Sequence, residues 1–192
     1  NPESTAKTVI DGWRHTGDMG NMMEDKEYQW VTGRFKSLLI SSDGEKYSPE
    51  GFEDSLTDGS KFIDNTILHN NQSPYTIALI VPNKDALREH IRKNSPDVDP
   101  ESEQGRRMML DKLQNEVNAY KTGGVKGGMF PDRWLPAALV VLPEQFTEQN
   151  GLVNSTMKVV RAKVEKYYED RIEYAYTPEG KELYNPRNIE SV

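Results

Sequence analysis

The run Trp134–Pro143, WLPAALVVLP, constrains the fold of this chain more than any other stretch. It is the most apolar segment, yet it falls far short of the roughly 20 residues that a membrane-spanning helix needs, and prolines interrupt it at 136 and 143. A short apolar run closed by prolines reads as a buried strand, Ala137–Leu142. Further strands are expected at Tyr75–Val81 (YTIALIV) and Thr66–Leu68. Upstream, Tyr28–Thr32 (YQWVT) and Ser37–Ser42 (SLLISS) form two β-prone runs around a Gly33-Arg34 break.

Helix signals alternate with these runs. Ser48-Pro49-Glu50 has the form of a helix start, with Ser as cap, Pro in the first position and Glu in the first turn, and predicts a helix to about Leu56. Asn83 can cap a second helix through Lys93. A long helix is expected over Pro100–Lys121, because Met109, Leu110, Leu113, Val117 and Tyr120 recur at spacings of three and four and Gly123-Gly124 follows. A last helix is expected from near Thr156, carrying Val160, Val164, Tyr167, Tyr168 and Ile172. The whole reads as α+β, a small mixed sheet with flanking helices and not a doubly wound one.

At 192 residues the chain can bury one respectable core. Its net charge of -7 argues against the basic stripe that nucleic acid or an anionic membrane surface requires. The absence of cysteine excludes disulfides and thiolate metal sites and fits a reducing compartment. With no signal-peptide pattern and no membrane span in the sequence, a cytoplasmic location is expected.

Several patterns carry no chemistry. GGVKGG, Gly123–Gly128, follows a helix and lacks a Ser or Thr after its Lys, so it reads as a flexible linker and not a phosphate loop. His15, His69 and His90 share no metal-ligand spacing, and Met22-Met23 and Met108-Met109 read as packing residues. No Ser/His/Asp or Gly-x-Ser-x-Gly arrangement is present.

Three segments do carry a resemblance. DGWRHTGD (Asp11–Asp18), GRFK (Gly33–Lys36) followed by GEKYSPEGFE (Gly44–Glu53), and NSTMKVVR (Asn154–Arg161) occur in this order. Together they resemble the D-G-W-x-x-T-G-D, G-R-x-K and T-P-T-x-K-x-x-R motifs of the AMP-forming adenylating enzymes. Among these, the Lys after Gly-Arg-x and the Gly-Glu-x-x-x-Pro-Glu below it look most like long-chain fatty acyl-CoA ligases. The resemblance is strong over residues 1–58 and 137–176 and thin over 84–134, which reads as a helical insertion. Ser155 stands where the family often has Pro, so a more mobile loop is expected ahead of Lys158.

The resemblance implies the carboxy-terminal piece of a larger enzyme. Residues 1–33 would close a large amino-terminal domain, 34–36 would be a hinge, and 37–192 would form a mobile lid; the acyl pocket and phosphate loop would lie outside the 192 residues. It implies a reaction in two steps, with ATP, Mg2+ and coenzyme A taking part. A fatty acid carboxylate attacks the α-phosphate of ATP to give acyl-AMP and pyrophosphate, and the thiol of coenzyme A then displaces AMP.

The same resemblance assigns roles. Asp18 would accept hydrogen bonds from the ribose hydroxyls, as a two-oxygen acceptor can. Arg34 would reach the ribose and phosphate with its fork of donors. Lys36 would be the position about which the lid swings. Lys158 would enter the site during adenylation and bridge the carboxylate and the α-phosphate. The loop at Gly44 and Glu45 would face the coenzyme A channel during thioester formation. The competing reading is a stand-alone binding or interaction module that keeps the fold without the reaction.

Overall fold

The computed structural model describes residues 2–22 and 29–192, and describes Lys36 in its backbone only. In chain order the elements are α1 (Pro2–Thr8), β1 (Val9–Ile10), β2 (Trp13–Arg14), β3 (Asp18–Met22) and β4 (Gln29–Arg34). A 3-10 turn at Phe35–Ser37 leads to β5 (Leu39–Ser41), β6 (Lys46–Tyr47), α2 (Glu50–Asp58), β7 (Ile63–His69), β8 (Asn71–Ser73) and β9 (Ile77–Pro82). Then come α3 (Lys84–Asn94), α4 (Glu103–Asn118), β10 (Ala138–Val141), α5 (Arg161–Tyr167), α6 (Glu169–Ala175) and α7 (Pro186–Ser191).

The central sheet has the order β10-β9-β7, with β10 parallel to β9 and β7 antiparallel to it. Because side chains alternate across a strand, the apolar runs supply two cores at once. Ala78, Ile80, Leu139 and Val141 face one core with Phe52, Leu56, Leu87, Ile91, Leu110 and Leu113. Ile77, Leu79, Val81, Ala138, Val140 and Leu142 face the other with Leu152, Val164, Tyr168 and Ile172. Helices therefore cover both faces, and the fold is α+β with small mixed sheets, as expected. A second sheet, β6-β5-β8, packs beside it, and β3 pairs with β4 as an antiparallel ribbon ahead of the 3-10 turn.

The outer edge of β10 is closed by side chains. Asn188 of α7 accepts from Val141 N–H (2.9 Å) and donates to the Leu139 carbonyl (3.0 Å), so its amide stands in for a neighbouring strand. Arg171 donates to the Val141 carbonyl (3.1 Å). An edge paired in this way cannot recruit another chain. The segment over 84–134 is no appendage either: Met109, Leu110, Leu113, Val117 and Tyr120 are all buried in the first core.

Several boundaries differ from the sequence reading for identifiable reasons. The strand expected at Tyr28–Thr32 runs over Gln29–Arg34, so Gly33 and Arg34 lie inside it; Tyr28 is outside the described residues. Of SLLISS only Leu39–Ser41 is strand, because the 3-10 turn takes Ser37. Ser48 does not cap α2, which starts at Glu50 with Pro49 in the cap position and no side-chain cap bond. The long helix starts at Glu103, where the Ser102 hydroxyl accepts from Gly105 N–H (3.1 Å), and ends at Asn118, ahead of the glycine pair. Gly123–Gly128 is a run of hydrogen-bonded turns folded back on α4, with Lys126 N–H donating to the Ala119 carbonyl (2.8 Å).

The last helix is two helices, α5 and α6, broken at Tyr168, and residues 156–160 precede them as a loop. Asn83 caps α3 as expected, its side chain accepting from Ala86 N–H (3.0 Å). Met109 packs in the core, Met22 is exposed, and Met23 is outside the described residues. Among the described residues no helix is long and apolar enough to cross a membrane.

Candidate active site

The first motif pair meets on the β3–β4 ribbon. Asp18 opens β3 and Arg34 closes β4, and the antiparallel register sets them directly opposite one another. Arg34 Nε lies 3.2 Å from the Asp18 carboxylate. The Thr16 hydroxyl accepts from Asp18 N–H (3.2 Å), and Phe35 N–H donates to the Gly17 carbonyl (2.9 Å), so the TGD loop is tied to the start of the 3-10 turn. Both charged groups are solvent-accessible and can exchange one another for a ligand.

Gly33 holds this ribbon against α2. Its φ is +147°, a setting that disfavours any side chain, and a Cβ placed there would land on the Ser48 hydroxyl. Ser48 is thus occupied with filling the space beside Gly33, which accounts for the missing helix cap. Its Oγ has no hydrogen-bond partner.

The same region opens into a cleft of about 390 Å3 lined by Arg34, Ser37, the α2 acids Glu50, Glu53, Asp54 and Asp58, the β7 residues Asn65–Ile67, and Lys158 and Arg161. Two motifs far apart in sequence are brought to one cavity. Their two cations end differently. Arg161 grips the buried Glu53 through two bonds from one nitrogen (2.6 and 2.7 Å) and donates to the Leu68 carbonyl (2.8 Å). Glu53 in turn accepts from Leu68 N–H (2.6 Å), so this ion pair satisfies the free edge of β7. Burial pushes the Glu53 carboxyl above its ordinary range, and Arg161 acts against that push.

Lys158 is exposed and makes no ion pair among the described residues. It sits in a closed loop between the bridged residues Val153 and Val159. An ammonium on a flexible stem, unpaired and at the mouth of a cleft beside an arginine, is equipped to follow developing negative charge.

Gly44 and Glu45 belong elsewhere. Gly44 takes φ +85° in the turn joining β5 to β6, and its N–H donates to the Ser41 carbonyl (2.9 Å). Glu45 lines a different cleft, of about 310 Å3, with Ser41, Asn70, Tyr75, Thr76 and Arg133. Its carboxylate takes a two-bond grip from Arg133 (2.6 Å each), which holds it below the ordinary carboxylate range. Lys36 lies at the centre of the 3-10 turn that links the β3–β4 ribbon to β5.

Sequence reasoning missed three neighbours of the motif residues. Glu53 was present in the Pro-x-x-x-Glu segment, and only its burial shows that it is the partner of Arg161. Asn154 was present ahead of Ser155, where its polar side chain signals a turn. Arg133 has no local signal, since its partner is 88 positions away. Among the described residues no group of three or more His, Asp or Glu could hold a metal. His69 instead faces Glu165 (3.2 Å), and His90 packs on Phe62.

No protein-family profile matches the chain. It is 27% identical over 177 residues to fatty acyl-CoA synthetase B of Dictyostelium discoideum, covering 91% of this chain and 25% of that protein. It is also 27% identical over 179 residues to long-chain-fatty-acid–CoA ligase 1 of Cavia porcellus, covering 92% of this chain and 25% of the relative. The chain thus spans about a quarter of the length of the curated relatives it matches. Among solved structures, the adenylation domain of a carboxylate reductase from Mycobacterium chelonae superposes with a TM-score of 0.69 at 25% identity, over 91% of this chain and 25% of that one. In sequence the chain is therefore similar to long-chain fatty acid–CoA ligases, and in fold it matches part of an adenylate-forming domain.

Proposed function

We propose that this chain is the carboxy-terminal part of an AMP-forming long-chain fatty acid–CoA ligase, and that it serves both half-reactions with different faces. The observation that carries the reading is the convergence of Arg34 and the unpaired Lys158 on one cleft while the Gly44 turn lines another. The relatives' activity and the coverage of a quarter of their length support it.

In the adenylating arrangement Asp18 exchanges Arg34 for the ribose hydroxyls of ATP, and Arg34 turns its donors to the nucleotide. Lys158 bridges the attacking carboxylate and the α-phosphate, where charge builds in the transition state. Rotation about the turn at Lys36 then carries Lys158 away and presents the Gly44–Glu45 turn to coenzyme A. Mg2+ would travel with the nucleotide phosphates in this reading, since no group of three or more His, Asp or Glu among the described residues could hold it. The amino-terminal domain of the same protein supplies the acyl pocket and phosphate loop. Residues 1–33 close that domain, and residues 37–192 form the lid. The chain alone is inactive.

The test is a comparison of the two half-reactions in the full-length protein. Lys158→Ala should abolish most acyl-AMP formation in a single turnover while transfer from pre-made acyl-AMP to coenzyme A stays near the parent rate. Equal loss in both steps, or none in either, overturns the assignment. Background ATP–pyrophosphate exchange by the 192-residue chain is expected alongside; robust exchange would favour a complete site within it.

A further inference from the structure

The loop that carries Lys158 is organised by one side chain, and it is not the lysine. The Asn154 side-chain oxygen accepts three hydrogen bonds, from Thr156 N–H (3.0 Å), from the Thr156 hydroxyl (2.8 Å) and from Lys158 N–H (2.9 Å). The Asn154 backbone N–H donates to the Lys158 carbonyl (2.9 Å), and Met157 N–H donates to the Asn154 carbonyl (2.8 Å). Every backbone group of Lys158 is thereby tied to Asn154.

This closure also forces strain into the loop. Met157, a residue with a bulky side chain, is held at φ +60°, in the left-handed region, with that side chain exposed. Such a setting is unfavourable for a residue with a side chain and persists only where surrounding bonds over-determine it. Met157 itself is not buried in either core, and residues 154–158 are exposed. The hydrogen bonds on Asn154 are what hold Met157 there, and the backbone of Lys158 follows directly.

We infer that Asn154 is a positioning residue for adenylation: its side-chain oxygen pre-sets the backbone from which Lys158 reaches into the cleft. The inference rests on the proposed role of Lys158 and goes beyond it, because Asn154 touches no reacting atom. The loop needs this clamp because Ser155 lacks the fixed φ that a proline would bring, so backbone restraint must come from hydrogen bonds instead. The expected mobility ahead of Lys158 is thus met by a polar device. Misplacing a catalytic group by about 1 Å can cost on the order of a hundredfold in rate, so the loss of the clamp has a measurable price.

The test uses the full-length protein, with ATP and palmitate for adenylation and palmitoyl-AMP plus coenzyme A for transfer. Asn154→Ala should slow single-turnover adenylation roughly 10- to 100-fold, with transfer within about twofold and the thermal unfolding midpoint unchanged, because the side chain is exposed. Asn154→Asp keeps an acceptor for all three bonds and should recover most of the rate. If Asn154 acts through Lys158, Asn154→Ala combined with Lys158→Ala should be no slower than Lys158→Ala alone.

Parent-like adenylation in Asn154→Ala overturns the inference, as does an Asp variant as slow as the Ala variant, or an equal loss in both half-reactions. Additive losses in the double variant overturn it as well, showing that Asn154 acts apart from the lysine. A silent Lys158→Ala beside a slow Asn154→Ala overturns both the role of Lys158 and this inference, whereas a slow Lys158→Ala beside a parent-like Asn154→Ala overturns this inference alone and leaves the role of Lys158 standing.

Discussion

The two turns that present charge to the two clefts treat their charged side chains in opposite ways. In the Ser41–Lys46 turn the charged side chains are consumed: Glu45 is gripped by Arg133, and the turn is shaped by Gly44 at φ +85° together with Asp43, whose carboxylate accepts from Glu45 N–H (3.1 Å) and from the Ser41 hydroxyl. In the Asn154–Lys158 loop the charged side chain is left free, and a neutral neighbour does the shaping. The contrast teaches that a paired charge serves geometry, whereas an ordered backbone under an unpaired charge keeps a group available for a ligand. Arg161, three residues beyond Lys158, repeats the first pattern within the same cleft as the second.

The contrast is broken most severely at Lys158. In the full-length protein Lys158→Ala should lower acyl-AMP formation about a hundred- to a thousandfold, the scale for losing one placed donor in a charged transition state. Quenched-flow measurement of each half-reaction reads it, and the fold should be intact because the side chain is exposed and makes no ion pair among the described residues.

Arg161 should give the reverse outcome, a loss of stability. Arg161→Met leaves Glu53, whose side chain is 10% exposed, without its counter-ion, and should cost about 3 kcal/mol in chemical denaturation. The loss should also depend on pH. Burial already holds the folded-state value of Glu53 above its unfolded value, and removing the guanidinium raises it further. For a raised carboxyl the stabilising contribution is complete below the unfolded value and is lost as pH rises through the folded one. The deficit of Arg161→Met should therefore be small near pH 4 and grow towards neutrality. A deficit independent of pH would mean that Glu53 is not its origin.

Gly33→Ala comes next. It forces a side chain onto φ +147° and onto the Ser48 hydroxyl, and should destabilise the joint between ribbon and α2 by about 1–3 kcal/mol. Adding Ser48→Ala should return only the clash with the hydroxyl, since the residue-48 Cβ would still lie 2.9 Å from the new Cβ, and should leave the backbone part. Full recovery in the double variant would show that the backbone setting is not strained.

Arg133→Ala should have the smallest effect, because the Glu45–Arg133 pair is exposed. Adenylation should be unchanged and transfer to coenzyme A slowed by about two- to fivefold. Arg133 holds Glu45 low, so the pair's contribution is present above the ordinary carboxylate value and fades as pH falls through the folded one. The difference between parent and variant should accordingly vanish in acid. A larger effect on adenylation than on transfer would merge the two clefts into one site.

What was legible in the sequence follows physical range. Continuous apolar runs gave β9 and β10, spacings of three and four gave α4, and Asn83 gave the start of α3, since each signal sits within one element. The helix expected from Thr156 failed because Asn154 closes a loop over those residues. The Ser48 cap failed because Gly33 claims that side chain's space. Helix α7 was overlooked although Asn185 and Pro186 form a cap and first-turn pair, because the segment is short and polar and its purpose is to close the edge of β10.

By itself the sequence determined the α+β class, the apolar strands, and the order of the motif segments holding Asp18, Arg34, Lys36, Gly44 and Lys158, because these depend on residue type and short spacing. Only the tertiary structure decided which charges are spent. The grip of Arg161 on Glu53 spans 108 positions and that of Arg133 on Glu45 spans 88, and no local pattern encodes such pairs. The freedom of Lys158 is likewise a tertiary property: a cation is available to a ligand only when the fold has brought no carboxylate within reach of it.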